Sequence, residues 1–294
     1  MIDIFLNHVT ANADLKVEFT AGPYEKINII DKVENIPGHY DEFESNGNIE
    51  KNYYNDLDIT FWTLDYNAER LNGENSGFNT FFKSDPWLLF HAYNKNRNKF
   101  ECNFYAEPNK KFICLMFNSQ KDHRKTIFDF IISKNFDCYI SRVDEGIKLT
   151  EMPEHFEHGY YKDNFNYGVP KEYFYALIDI VTESYLTFSS HFSEKSYKPL
   201  IHKKPFLTFA GPYYYDTLKK YNFELYDELF DYSFDIVKNK EQRISEILLQ
   251  LLEINNRSFY DIKNVIDNLK EKIEHNYQNL FKVKSKFYSL KNET

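Results

Sequence analysis

Three short apolar runs, each passing through a polar junction into a helix-like segment, restrict this chain to a parallel α/β sheet. The first is Phe112-Ile113-Cys114-Leu115-Met116-Phe117. The second lies within Tyr173–Ser184 and ends in Val181-Thr182-Glu183-Ser184, and the third is Pro205-Phe206-Leu207-Thr208-Phe209-Ala210. Unbroken apolar runs of this length, without alternation, suit strands covered on both faces. In such sheets the ligand crevice borders the C-terminal ends of the strands. That directs attention to Asn118–Arg124, to Thr182-Glu183, and to the segment Phe192-Ser193-Glu194-Lys195-Ser196-Tyr197-Lys198-Pro199-Leu200. Ser193 is a good N-cap and Glu194 suits the positive end of a helix. A helix start beside Lys195 is a natural seat for a diphosphate, because free backbone N–H groups and a cation converge there.

With 294 residues the chain exceeds one typical domain, and two are expected. The joint is placed at Glu107-Pro108-Asn109-Lys110, dividing 1–108 from 109–294. In the first part, Ile2–Leu6, Lys26–Ile30, Ile59–Leu64 and Phe100–Tyr105 read as strands and Trp87–Tyr93 as a short helix. Residues 31–57 and the Gly/Asn-rich stretch 72–77 read as loops. In the second part, Lys125 to about Ser133 is an amphipathic helix, Phe136–Arg142 a strand, and 144–170 a loop-rich insertion. Tyr213–Tyr221, Glu241–Glu253 and about Tyr260–Phe281 read as helices, the last two with apolar faces that pack back onto the sheet or the first domain.

A formal net charge of −9 argues against general nucleic-acid binding, though not against a local basic pocket. Cys102, Cys114 and Cys138 have no CxxC spacing and sit in apolar runs, so reduced core thiols are expected. Met1–Leu6 is too short and too acidic for a signal sequence, and no run approaches the length of a membrane span. A cytoplasmic protein is therefore expected; the richness in Asn, Lys and Ile fits an AT-rich genome, and a viral chain would work in host cytoplasm. Gly-rich phosphate loops and the Gly-x-Ser-x-Gly elbow are absent. His155 and His158 have no further ligand motif, and Asp56-Leu57-Asp58 precedes a strand where a metal-binding Asp-x-Asp would end one. No metal site is expected.

Four pieces read in order carry a resemblance: Leu115–Arg124; Ile180-Val181-Thr182-Glu183-Ser184; Phe192–Leu200 with Lys204-Pro205-Phe206; and Asn222-Phe223 with Phe230–Asp235, Arg243 and His275-Asn276. Together they resemble the donor-binding half of nucleotide-sugar glycosyltransferases related to the alpha-1,3-fucosyltransferases, in particular the small bacterial, phage and viral versions. The match covers roughly residues 110–280 and nothing comparable occurs in residues 1–105. The resemblance implies a GT-B architecture, with two Rossmann-like domains facing across a cleft and C-terminal helices packing back. It implies transfer of a sugar from a nucleotide-sugar donor (GDP-fucose is one) to a glycan hydroxyl, with inversion and without a metal or other cofactor. Arg124 and Lys195 would contact the diphosphate, Glu194 the ribose hydroxyls, and Glu183 the base or sugar. Tyr197 and Lys198 would line the same helix turn. Ser193 stands where the family has Thr, and Thr182-Glu183-Ser184 where it has Glu-Asn-Ser, which leaves the base open.

Inverting transfer needs a carboxylate that deprotonates the acceptor. Asp65, just after the Phe61–Leu64 run, is favoured over Glu69 and Glu74. Each of these side chains also has an ordinary reading: Arg124, Lys195 and Lys198 as solvated charges, Glu194 as a first-turn acid, Asp65 as a turn residue, His123 as a loop or capping group. Trp62, Trp87 and Tyr160-Tyr161 could stack on sugars or fill the core. Alternatives in function are a UDP-sugar transferase acting on another acceptor, a non-catalytic nucleotide- or carbohydrate-binding protein, and a structural protein with an aromatic binding surface.

Overall fold

The structure is a computed structural model that describes residues 2–6, 59–63, 80–84, 87, 90, 93–94, 97, 104, 106–116, 121–142, 146, 168–183, 186 and 192–284, the first three segments as backbone alone. The chain divides into two compact units, Met1–Pro86 with Lys286–Thr294, and Trp87–Ser285. The expected joint at 108 and 109 thus falls inside the second unit. The physical reason is Trp87, which is 1% exposed and stacks on Phe192 with ring centroids 4.6 Å apart.

In the first unit β1 (Ile2–Leu6), β2 (Ile59–Thr63) and β3 (Thr80–Ser84) form a parallel sheet in that order. Ile4 pairs with Phe61, and Phe61 with Phe82. The third strand, Thr80-Phe81-Phe82-Lys83-Ser84, is short and follows the Gly/Asn-rich stretch directly, which is why it does not stand out in the sequence. The strand expected at 26–30 lies outside the described residues.

The second unit runs β4 (Lys110–Met116), α1 (Asp122–Ser133), β5 (Cys138–Arg142), a 3₁₀ turn (Lys171–Tyr175), β6 (Ala176–Thr182), α2 (Glu194–Ile201) and β7 (Phe206–Phe209). It continues through α3 (Tyr214–Lys220), a 3₁₀ turn (Ser233–Ile236), α4 (Lys240–Asn256), α5 (Phe259–Asn268) and α6 (Lys270–Leu280). The four strands are all parallel, in the order β5-β4-β6-β7. From β4 the chain steps one way to β5, then crosses back to β6 and β7. The direction of winding therefore reverses between β4 and β6, where open α/β sheets form their ligand crevice.

All seven residues of β6, an inner parallel strand, are buried as expected, and so are all four of β7 at the end of the described strand order. Helix α5 packs on β4 and β6, and α6 packs on α2. The α4–α5 junction is tied to the sheet by Lys111 Nζ, which donates to the carbonyls of Asn255 and Arg257 at 2.6 and 2.5 Å. Arg243, only 2% exposed, donates to the carbonyls of Ala210, Leu186 and Val237. It fastens α4 to the loops after β6 and β7. Asn276 exchanges hydrogen bonds with both backbone groups of Glu224, each 2.8 Å.

Two helices differ from expectation. Helix α1 begins at Asp122, three residues earlier than the apolar pattern indicates, because His123 and Arg124 are themselves buried. The single helix expected over 260–281 is two helices that meet at Leu269, a residue at φ −90°, ψ 5° and 2% exposed. No Gly or Pro marks that break.

The aromatic cluster under α2 gives a direct test. Trp87 packs against Phe90, Phe192, Tyr221 and Phe223, yet its indole N–H has no partner among the described residues. Trp87→Ala should cost about 3–5 kcal/mol in urea unfolding. Trp87→Phe should cost much less, since it keeps most of the packing and removes a buried unsatisfied donor.

Candidate functional site

The C-terminal ends of β4 and β6 bring one group of polar side chains together, and α1 supplies half of them. Lys121 is the N-cap residue of α1. In the first turn His123 and Arg124 are 8% and 4% exposed, and both turn toward the end of β6. Arg124 Nη2 donates to the Thr182 carbonyl at 3.2 Å, and His123 Nε2 lies 3.0 Å from the Glu183 carbonyl. A carbonyl can only accept, so Nε2 carries the hydrogen. Burial, and then the positive fields of Arg124, Lys121 and Lys240, lower the His123 pKa to about 4. It is a neutral imidazole at physiological pH.

Helix α2 supplies the other half. Its N-cap Ser193 accepts from the Lys195 N–H at 3.2 Å. Glu183, the residue after β6, has no exposed surface. Its Oε1 accepts from the Ser193 N–H at 3.2 Å and from Ser196 Oγ at 2.5 Å, while Oε2 accepts from Ser193 Oγ at 2.7 Å. Tyr214 donates in turn to Ser196 Oγ at 2.7 Å. The carboxylate thus fixes the first turn of α2 against the end of β6.

At that first turn, Lys195 Nζ pairs with Glu194 Oε1 at 2.6 Å and reaches Ser193 Oγ at 3.4 Å. Burial opposes ionisation of Glu194, but Lys195, by charge and hydrogen bond, and Lys198 outweigh it and hold the pKa at about 2. Lys121 ties the two halves together. Its pKa is lowered by burial first, and then by the charges of both Arg124 and Lys195. Lys121 and Arg124 at the start of α1 and Lys195 at the start of α2 thus place cations at two neighbouring strand-to-helix junctions.

The residues picked out from the sequence separate into groups. Arg124, Glu194 and Lys195 lie at the C-terminal end of β6, on the first turns of α1 and α2. Glu183 is next to them, but both of its oxygens are occupied by the serines of α2. Tyr197 is fully buried on the other side of the helix, its hydroxyl donating to Asn94 Oδ1 at 2.9 Å and its ring edge-on to Phe90 and Tyr93. Lys198, 8% exposed, lies deeper, where burial lowers its pKa to about 8 against the opposing fields of Glu194 and Asp179. Trp87 belongs to the core. Asp65, Glu69, Glu74, His155, His158 and the Tyr160-Tyr161 pair lie outside the described residues. Lys121 was not singled out from the sequence. Its signal was there, as the residue that opens the helix after the first apolar run.

Among the described residues no group of three or more His, Cys, Asp or Glu side chains could hold a metal ion. Cys114 and Cys138 are free thiols. No described helix is long and apolar enough to cross a membrane. No family model matches the chain, and no curated protein or solved structure matches it either.

The Glu194–Lys195 pair has a definite pH signature. A carboxyl held below its ordinary value of 4.5 contributes stability that is complete above that value and is lost as pH falls toward the folded-state value of about 2. Urea midpoints of the native chain should fall over that window more steeply than those of Glu194→Gln. Parallel curves would show that the pair does not contribute.

Proposed function

We propose that the chain is a glycosyltransferase whose second unit binds the diphosphate of a nucleotide sugar. The observation that carries this is geometric: Arg124 at the start of α1 bonds the Thr182 carbonyl, and Glu183, the next residue, pins the first turn of α2 that bears Lys195, so two helix starts with cations are fixed to the end of β6. In a chain of net charge −9, such a concentration of positive charge at the start of two helices favours a polyanion over a neutral ligand. A diphosphate leaving group needs its developing charge neutralised, and fixed cations in a half-buried hollow can do this without a metal.

On this reading Arg124, Lys195 and Lys121 hold the phosphates. Glu194, ionised and adjacent, accepts hydrogen bonds from the ribose hydroxyls. Glu183 keeps α2 and Lys195 in place from behind. Neutral His123 supplies orientation through its bond to the Glu183 carbonyl and no charge. An acid from the first unit, Asp65 being the favoured residue, removes the proton from the acceptor hydroxyl. The likeness of Leu115–Arg124, Thr182-Glu183-Ser184 and Ser193–Lys198 to the alpha-1,3-fucosyltransferases supports a GT-B enzyme that uses GDP-fucose or a related donor on a glycan.

Thermal-shift titrations with GDP, UDP, CDP and their sugars, first without divalent metal and then with Mn²⁺, test the reading. One nucleoside diphosphate should stabilise the chain without metal. Lys195→Ala and Lys121→Ala should each weaken it by about 1–3 kcal/mol, a loss of roughly five- to 150-fold. Stabilisation by no nucleotide, or unchanged titrations for both variants, would sink the assignment. Binding with no transfer to any glycan would make the protein a nucleotide-sugar binder instead of an enzyme.

A further inference from the structure

We propose that the second unit carries another small-molecule site, on the opposite edge of its sheet, for an organic anion with an apolar body. This proposal stands apart from the glycosyltransferase reading. The edge concerned is where β4, β6 and β7 begin. A cavity of about 680 Å³ lies there, between the start of β6, the end of α2 and the helices α5 and α6. Ligand pockets ordinarily have volumes of about 300–1,000 Å³. The length of β6, seven residues, separates it from the cations at the C-terminal edge by roughly 20 Å.

The chemistry of the walls defines the ligand. Ten of the fourteen described lining residues are apolar or aromatic, with Phe104, Phe174 and Tyr277 offering ring surface and Leu177 and Ile201 buried beneath. The other four are Arg97, His202, Lys203 and Lys204, and no Asp or Glu is among the described lining residues. A lining of one sign, in a chain with more acids than bases, complements an anion. The rings of Phe104, Phe174 and Tyr277 beside these cations suit an anion with an aryl or acyl body better than inorganic phosphate.

These cations are already held in place. Lys204 Nζ donates to the Ala176 carbonyl and lies 5.0 Å from the Tyr173 ring centroid. Lys203 Nζ sits 4.2 Å over the Tyr277 ring and pairs with Glu274 at 2.6 Å, outside the lining. The Arg97 guanidinium lies 5.0 Å over Phe281. Side chains fixed by the protein lose little further freedom when a ligand arrives, which favours binding. His202 packs against Tyr173 and Phe174, both with ring centroids 5.4 Å away. Burial, with Lys204 and Lys198 nearby, lowers its pKa to about 3, so it contributes a neutral polar ring and not a charge.

The test is a fluorescence titration of the full chain with 8-anilinonaphthalene-1-sulfonate, a flat apolar anion, followed by displacement with 2-naphthoate, decanoate and neutral decanol. Saturable one-to-one binding is expected, reversed by naphthoate (an aryl body) or decanoate (an acyl body) and poorly by decanol. Ala106→Trp, at a half-buried lining position, should weaken the dye at least about tenfold by filling the space. Lys203→Asn suits the left-handed backbone at φ 54° and removes one exposed charge. It should weaken binding about two- to fivefold. Absence of saturable binding would overturn the site. So would full affinity in Ala106→Trp with native melting behaviour. Equal displacement by decanol and decanoate would overturn its preference for anions. If Ala106→Trp fails to fold, unchanged affinity in Lys203→Asn counts against the proposal by itself.

Discussion

A carboxylate with no exposed surface must have its lone pairs filled, and the way Glu183 meets this requirement organises the whole ligand edge of the larger sheet. Three donors reach it, the Ser193 N–H and the hydroxyls of Ser193 and Ser196, and all belong to the start of α2. Its own backbone N–H continues the strand ladder to Phe209 at 3.0 Å, and its carbonyl takes the His123 ring. One residue thereby joins β6, β7, α1 and α2. Removing its side chain would leave three buried donors unsatisfied, at a cost of about 1–3 kcal/mol each. The orientation of Lys195 follows from that constraint, because Lys195 is the residue whose N–H caps onto Ser193.

The positive charge on this edge has a definite origin in the fold. In a parallel sheet each helix starts near the C-terminal end of the strand before it, so residues early in α1 and α2 fall at the same end of the strands. Lys121, Arg124 and Lys195 occupy those early positions. Only Glu194 among the acids described here pairs directly with Lys195. Charges of one sign near two helix N-termini act against the helix dipoles as well as one another. An arrangement with that cost is more readily understood as a preformed anion seat than as a source of stability.

The apolar runs made the α/β class and the larger sheet legible, since strands buried on both faces need no alternation to be read. Ser193 was legible as a cap because its side chain acts locally. Glu183 was not, because a buried carboxylate and an exposed one look alike until the partner ten residues away, Ser193, is folded against it. Tyr197 shows the opposite failure. It follows Glu194-Lys195 in sequence, but helical rotation carries it round to the Phe90–Tyr93 aromatics, away from the charges beside it in the chain. The break at Leu269 could not be seen, because Ile262, Ile266, Leu269, Ile273 and Leu280 keep a helical spacing straight through it. The boundary at Pro86 was hidden for a similar reason, as three of the four rings around Trp87, those of Phe192, Tyr221 and Phe223, are more than a hundred residues away.

Helix α2 spans both edges of the sheet, and a line of buried charge runs beside it. Lys198 lies in the fields of Glu194 and Asp179. Asp179 accepts from the Tyr173 hydroxyl at 2.7 Å, and its pKa is raised by burial despite the opposing Lys204 and Lys198. Lys204 is pushed the other way, lowered by burial against Asp179, and reaches the cavity. Such buried ions are weak evidence for stability, because apolar replacements of the same volume often serve as well. Their effect here is electrostatic continuity: in a poorly screened interior, each protonation state depends on the next.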